Sequence, residues 1–248
     1  METEVSVIFG ASGGIGSALA IHLTKEGKKV VLCSRNADRL ASLSSELNQP
    51  YIVCNGSSEE EVVTAVDKIL TEYGRIDAVA NCIGSFFIKP LRLTTLTEWN
   101  EVLRVNLTSS FCILKGCLEK MEPQKQGSIV LISSVAAEIG LMHHEAIAAA
   151  KGAIEALVRS AAASYAQKGI RINGVAPGLV DTLLSSPITS SESALKASLS
   201  FHPLGRIGKA EDIVSAITWL LSPASSWVTG EVISVDGGLT HIKTKVLV

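Results

Sequence analysis

Along this 248-residue chain, short apolar runs rich in β-branched residues alternate with longer stretches of helical periodicity. The runs fall at residues 5–9, 29–33, 51–54, 76–80, 129–132 and 171–175, with a last one inside 229–238; amphipathic stretches lie at 17–26, 58–73, 97–119, 148–166 and 209–221. A run that is apolar throughout suits a strand buried on both faces, and a stretch with a 3.6-residue period suits the helix that crosses over to the next strand. Strict strand–helix alternation therefore specifies a parallel sheet with helices on both faces, right-handed crossovers, and a ligand crevice at the carboxyl ends of the strands. The expected fold is an α/β, Rossmann-type, doubly wound parallel sheet in three layers. Residues 1–248 form a single domain, since α/β chains of this length commonly stay undivided.

Composition narrows the functional classes. Apolar residues make up 47% and charged residues 19%, and no run reaches the roughly 18 apolar residues of a membrane span. The opening METEVSVIFG has no basic segment ahead of its apolar run and enters a strand at once, so it does not read as a signal peptide and a cytoplasmic setting is expected. Five cysteines lie scattered on apolar segments without paired metal spacing, which points to reduced, buried thiols and no metal site. A formal charge of −2 without a basic cluster gives no electrostatic footprint for nucleic acid.

The first run ends in a glycine turn, Gly10-Ala-Ser12-Gly-Gly14-Ile15-Gly16, ahead of a helix. Glycines there permit a tight turn and close approach of backbone to a pyrophosphate, while the helix N-terminus offers bare amides to negative charge. The second run ends at Ser34-Arg35, about 20 residues further on, where an adenosine ribose would lie. A hydroxyl and a guanidinium fork favour a 2′-phosphate, hence NADP over NAD. After the third run come Asn55 and Gly56, and after the fourth Asn81-Cys82-Ile83-Gly84; Asn106 interrupts an otherwise apolar helical face. The stretch 128–158 then ends a strand in Ser133 and Ser134 and carries Lys151 on an alanine-rich helix. Pro177-Gly178 closes the next strand, followed by Val180 and Thr182. Residues 183–208 are serine-rich with few apolar anchors and read as a mobile substrate lid.

Taken in order from Val5 to Gly238, these segments resemble the short-chain dehydrogenase/reductase family, in its 3-oxoacyl-carrier-protein reductase-like members. The resemblance implies NADP(H) held by Gly10, Ser12, Gly14, Ile15, Gly16, Ser34, Arg35, Asn55, Gly56, Asn81, Gly84, Lys151, Pro177, Gly178, Val180 and Thr182. It implies that Asn55 meets the adenine amino group, that backbone near Val180 meets the carboxamide, and that Thr182 meets phosphate. Asn106, by the same resemblance, holds a water linked to the lysine. Family members form tetramers through their long helices, so a homotetramer or homodimer is expected.

In that family a strand-end serine faces a Tyr-x-x-x-Lys helix, and here the five positions read Ile147-Ala-Ala-Ala-Lys151. The tyrosine that protonates the substrate oxygen is replaced by isoleucine. Ser134 lies 13 residues before that position, matching the family serine, with Ser133 as second choice. If the helix extends far enough back, a residue seven before Lys151 lies within roughly 20° of it and about 10 Å down the axis. That residue is His144, a candidate acid near neutrality. The expected function is NADPH-dependent hydride transfer to a small apolar carbonyl or enoyl substrate, with Phe86, Phe87, Leu141, Met142 and the lid around Leu183 as candidate walls. The alternative is a catalytically weak or inactive NADP-binding sensor or partner subunit.

Overall fold

The computed structural model describes residues 4–243. Seven parallel strands form one sheet in the order β3-β2-β1-β4-β5-β6-β7: β1 Val5–Phe9, β2 Lys29–Ser34, β3 Tyr51–Val53, β4 Ala78–Asn81, β5 Gly127–Ile132, β6 Ile170–Pro177 and β7 Val232–Val235. The helices are α1 Gly14–Lys25, α2 Ala37–Leu47, α3 Glu59–Tyr73, α4 Leu96–Leu103, α5 Ser109–Met121, α6 Glu145–Tyr165, α7 Ser186–Thr189, α8 Glu192–Leu199 and α9 Ala210–Leu221.

Strand periodicity divides the core into two layers. Val5, Val7 and Phe9 of β1, with Ile129 and Leu131 of β5, pack under α3, α5 and α6 through residues such as Ile69, Ile113 and Ile154. Ile8, Val130 and Ile132 point the other way, into Leu19, Leu23, Leu40 and Ile217 of α1, α2 and α9. Because both faces of every central strand are covered, the apolar runs need no polar alternation. Local signals set the helix ends: Asn36 and Ser58 accept the amides of Arg39 and Glu61, Thr95 and Glu98 form a capping box, and Gly74 closes α3 in the left-handed region at φ 73.

The chain winds outward from β1 to β3, returns to lay β4 beside β1, and then continues to β7, so the strand order reverses between β1 and β4. Ligand crevices form at such a reversal. Two boundaries differ from the sequence expectation. The single helix over 97–119 is α4 and α5 joined by one π-helical turn, Arg104–Thr108, centred on Asn106. The lid is not bare loop: it contains α7 and α8, neither of which buries a residue. Among the described residues no helix is long and apolar enough to cross a membrane, no group of three or more side chains is arranged to hold a metal, and all five cysteines are unpaired.

Candidate active site

The crevice starts at the glycine turn. Gly10 has φ +77, and a Cβ there would lie 2.8 Å from the carbonyl carbon of Cys82 and 2.9 Å from the nitrogen of Ile83. Only glycine lets the turns after β1 and β4 touch this closely. α1 begins with no side-chain cap and no acid in its first turn, so its amides are left for an external anion. A Cβ on Gly14 would strike the Thr182 side chain at 2.6 Å, which places the segment after β6 directly over this N-terminus.

Beside the turn, the Ser12 and Ser34 hydroxyls hydrogen-bond each other at 2.6 Å, joining the glycine loop to the end of β2. Arg35 is exposed, and no carboxylate among the described residues lies within ion-pair reach of it. Asn55 spends one acceptor site of its Oδ1 on the Ser57 amide, leaving the second lone pair. Gly56 is explained by packing, since a side chain there would drive into Ile83 and Ile113. Asn81 is buried, donating to Ser110 Oγ at 3.1 Å and accepting from the Ile83 amide at 3.1 Å, so it shapes the Asn81–Gly84 turn from inside.

The reactive end lies across β5. Lys151 on α6 is 5% exposed and donates from Nζ to the Ile132 carbonyl at 2.7 Å, which leaves two of its three ammonium protons directed elsewhere. Desolvation pulls its pKa down from 10.5 to about 8, against an opposing effect of Cys82, whose own thiol is pushed up to about 12 by burial. Gly84 sits between Asn106 and Lys151: a Cβ on it would lie 3.6 Å from Asn106 Oδ1 and 3.8 Å from Lys151 Nζ. The cost of burying Asn106 in an apolar helix is met in full, with Nδ2 donating to Val102 O and Ser85 Oγ at 2.8 Å each and Oδ1 accepting the Ser85 amide at 3.3 Å.

Of the two strand-end serines, Ser133 turns inward and donates to Glu155 Oε1 at 2.8 Å. Burial raises the Glu155 pKa, and the Ser133 bond opposes that rise. Ser134 accepts the Ala136 amide at 3.2 Å and keeps its own proton to donate. Of the two hydroxyl protons, that of Ser133 is therefore committed to Glu155 and that of Ser134 is not. His144 is corrected in its position: it is the N-cap of α6, with φ −103 and ψ 12, so helical turn-counting from Lys151 does not apply. It still reaches the same cavity. Its Nδ1 lies 2.8 Å from the Met142 carbonyl, which can only accept, so Nδ1 carries a proton and Nε2 is the nitrogen open to a substrate.

These groups meet in a cavity of about 310 Å³ lined by Ser134, His144, Ile147, Lys151, Ile15 and Gly84, with Pro177, Gly178, Val180 and Thr182 on the far wall. Among the described residues no Asp, Glu or Arg lines it. Ile147 is 7% exposed and belongs to a small apolar cluster with Val102, Ala136, Ala146 and Ala150. A model for the family described as enoyl-(acyl carrier protein) reductase matches residues 10–240. The solved structure of a short-chain type dehydrogenase/reductase from Mycobacterium ulcerans superposes with TM-score 0.93 at 31% identity, covering 97% of this chain and 90% of that one. The chain belongs to the short-chain dehydrogenase/reductase family. It is 34% identical to the 3-oxoacyl-[acyl-carrier-protein] reductase of Thermotoga maritima over 96% of this chain and 98% of that protein. It is also similar to a gluconate 5-dehydrogenase from Burkholderia cenocepacia, solved in complex with NADP and tartrate, at 29% identity and TM-score 0.93, covering 98% and 97% of the two chains.

As a short-chain dehydrogenase/reductase, the chain carries its expected site residues in two groups. Gly10, Ser12, Gly14, Gly16, Ser34, Arg35, Asn55, Gly56 and Asn81 lie along the β1–β4 carboxyl ends outside the cavity, and the remainder line it, apart from Asn106 beneath Gly84. Phe86, Phe87 and Leu141 are walls as expected. Met142, 78% exposed, is not; the lid around Leu183 does line the cavity, through Leu184, Ile188 and Phe201, with Leu183 itself 66% exposed. Ser85, Ser185 and His202 were not singled out by sequence. The partners of Ser85 and His202, Asn106 and Leu179, are more than 20 residues away, while Ser185 bonds locally within a serine-rich stretch that does not set it apart; only the His202-Pro turn ahead of α9 hints at an anchor.

Proposed function

We propose that this protein is an NADPH-dependent reductase of small apolar carbonyl or enoyl compounds, with Ile147 standing where the family carries its tyrosine. The observation that carries the reading is the convergence of a desolvated ammonium, Lys151, with the Ser134 hydroxyl on an apolar cavity at the strand-order reversal. The residues present fit a phosphorylated dinucleotide. Bare amides of α1 suit the pyrophosphate, the unpaired Arg35 fork suits a 2′-phosphate, and the two spare protons of Lys151 suit ribose hydroxyls. NADP in the gluconate 5-dehydrogenase complex supports the same choice.

When bound, the dihydronicotinamide supplies a hydride. The chain's own groups handle charge and proton. Ser134 donates a hydrogen bond to the substrate oxygen as it gains negative charge, and the Lys151 ammonium stabilises that charge in a largely apolar site. Ile147 donates nothing, so the proton comes from elsewhere. His144 can give one from Nε2 only as imidazolium, because its neutral form keeps the proton on Nδ1. A conjugated double bond would suit such a site: Ser134 and Lys151 would hold the oxygen of the enolate formed on reduction at the β-carbon, and the α-carbon would take its proton separately. The lack of any carboxylate or guanidinium lining the cavity among the described residues supports an uncharged, apolar substrate.

One observation favours a second reading, an NADP-binding sensor or partner subunit without turnover: Ile147 is packed into an apolar cluster with no hydroxyl of its own. NADPH consumption with ketone, enoyl-thioester and quinone panels separates the two. The wild type is expected to reduce an enoyl substrate, His144→Ala to slow it, and Ile147→Tyr to raise ketone reduction by about 10²–10⁴-fold, the usual contribution of a placed acid. Tight NADPH binding with no turnover in either wild type or Ile147→Tyr establishes the sensor. The protein is further proposed to work in the cytoplasm as a homotetramer or homodimer paired through α5 and α6, where the exposed Phe111 supports an apolar contact.

A further inference from the structure

Residues 183–208 cover the cavity with two helices that bury nothing, so what holds them is at their ends. Both ends are fixed to one short segment. At the start, the buried Ser185 donates to the Val180 carbonyl at 2.5 Å and accepts the Thr182 amide at 3.0 Å. Toward the end, His202, 4% exposed, accepts the Leu179 amide at Nε2 (3.3 Å), and its Nδ1 lies 2.8 Å from the Ser198 carbonyl at the end of α8. Gly178 completes the contact, since a Cβ there would stand 3.0 Å from His202 Nε2.

These partners fix the state of the ring. A carbonyl only accepts and a backbone amide only donates, so Nδ1 must carry a proton and Nε2 must not. The neutral imidazole fits both. A second proton on Nε2 would set two donors against each other and break the link to Leu179.

We infer that His202 is a positioning residue: as its neutral Nδ1–H tautomer it latches α8 of the lid to the 178–182 wall of the cavity, and protonation of the ring releases α8. The charged and titratable groups on the elements around it do not supply a substitute. The Asp236 carboxylate, on the turn after β7, is committed to the amides of Gly238 and Thr240 and the Thr240 hydroxyl. His241 hydrogen-bonds Thr240, Arg206 is paired with Asp212, and Lys196 on α8 is exposed. The Ser185 bonds at one end and the Gly208 backbone bonds to Leu179 and Asp181, 2.8 Å each, at the other contain no titrating group, so both ends of the lid stay attached and only α8 between them comes free.

The latch belongs to the free protein, so its test does not depend on which dinucleotide binds or whether turnover occurs. Amide hydrogen exchange of peptides spanning 179–201, corrected for the intrinsic pH dependence of exchange, is measured at pH 8 and pH 5. The wild type is expected to lose about tenfold or more in protection at the lower pH, in line with loss of one buried hydrogen bond. His202→Gln, whose amide offers both a donor and an acceptor group but does not titrate, is expected to show no such pH dependence, and His202→Ala to be unprotected at both values. Equal wild-type protection at pH 8 and pH 5, or a wild-type pH dependence retained in His202→Gln, overturns the latch.

Discussion

Changing Lys151 to methionine is expected to remove turnover while making the free protein more stable near neutrality. The side chain is buried with one hydrogen bond, to the Ile132 carbonyl, and desolvation brings its pKa from 10.5 to about 8. In the unfolded chain the amine keeps its proton up to about 10.5; in the folded protein it gives it up above about 8. Between those values the unfolded state binds more protons, so stability rises with pH across that window, and below about 8 the whole cost of the buried ammonium is present. The gap corresponds to roughly 3 kcal/mol. Methionine removes this cost and leaves the Ile132 carbonyl without its donor, which costs about 1–3 kcal/mol. A net gain of about 1 kcal/mol at pH 7 raises Tm by about 2–4 °C. Turnover falls by about 10²–10⁴-fold, because the charge facing the substrate oxygen is gone. Calorimetry from pH 7 to 10 checks the sign: wild-type Tm should carry an increment from pH 8 upward that the variant lacks. In the wild type, kcat/KM should fall as pH rises past about 8, with loss of the ammonium in the free enzyme.

Arg35→Asp is expected to reverse cofactor preference without touching the fold. The guanidinium is exposed at the end of β2, next to the Ser12–Ser34 hydroxyl pair, so its removal disturbs no packing. A fork on a 2′-phosphate makes charge-assisted hydrogen bonds of about 1.5–3 kcal/mol. NADPH affinity should therefore fall by about 10–100-fold and further by repulsion from the new carboxylate, while NADH, whose ribose hydroxyls an acid can accept, binds no worse. Titration of both at one ionic strength reads the ratio. An unchanged ratio removes Arg35 from the site.

The sheet was legible because strands buried on both faces leave uninterrupted β-branched runs, and the glycine turn because a Cβ at Gly10 has no room. The break in the 97–119 helix was not, since a π-helical turn preserves apolar spacing and only the oddness of Asn106 marks it. The lid helices were hidden for another reason: they are short and bury nothing that would leave a period, α7 carrying a proline in its first turn and no side-chain cap, and α8 starting on Ser191, which accepts the Ala194 amide. Ser134 and Lys151 stand out through the family resemblance and both line the cavity, whereas the position of His144 depended on where α6 begins, which its sequence does not mark. Met142 shows that apolar character alone does not place a side chain in a wall.

The central claim is that a phosphorylated dinucleotide lies across the carboxyl edge of the sheet between Arg35 and Lys151. Fluorescence titration of the wild-type protein with NADPH and with NADH tests it most directly. Saturable binding of NADPH, at least about tenfold tighter than NADH as one charge-assisted contact requires, is the predicted result. Equal affinity for the two, or no binding of either, contradicts it.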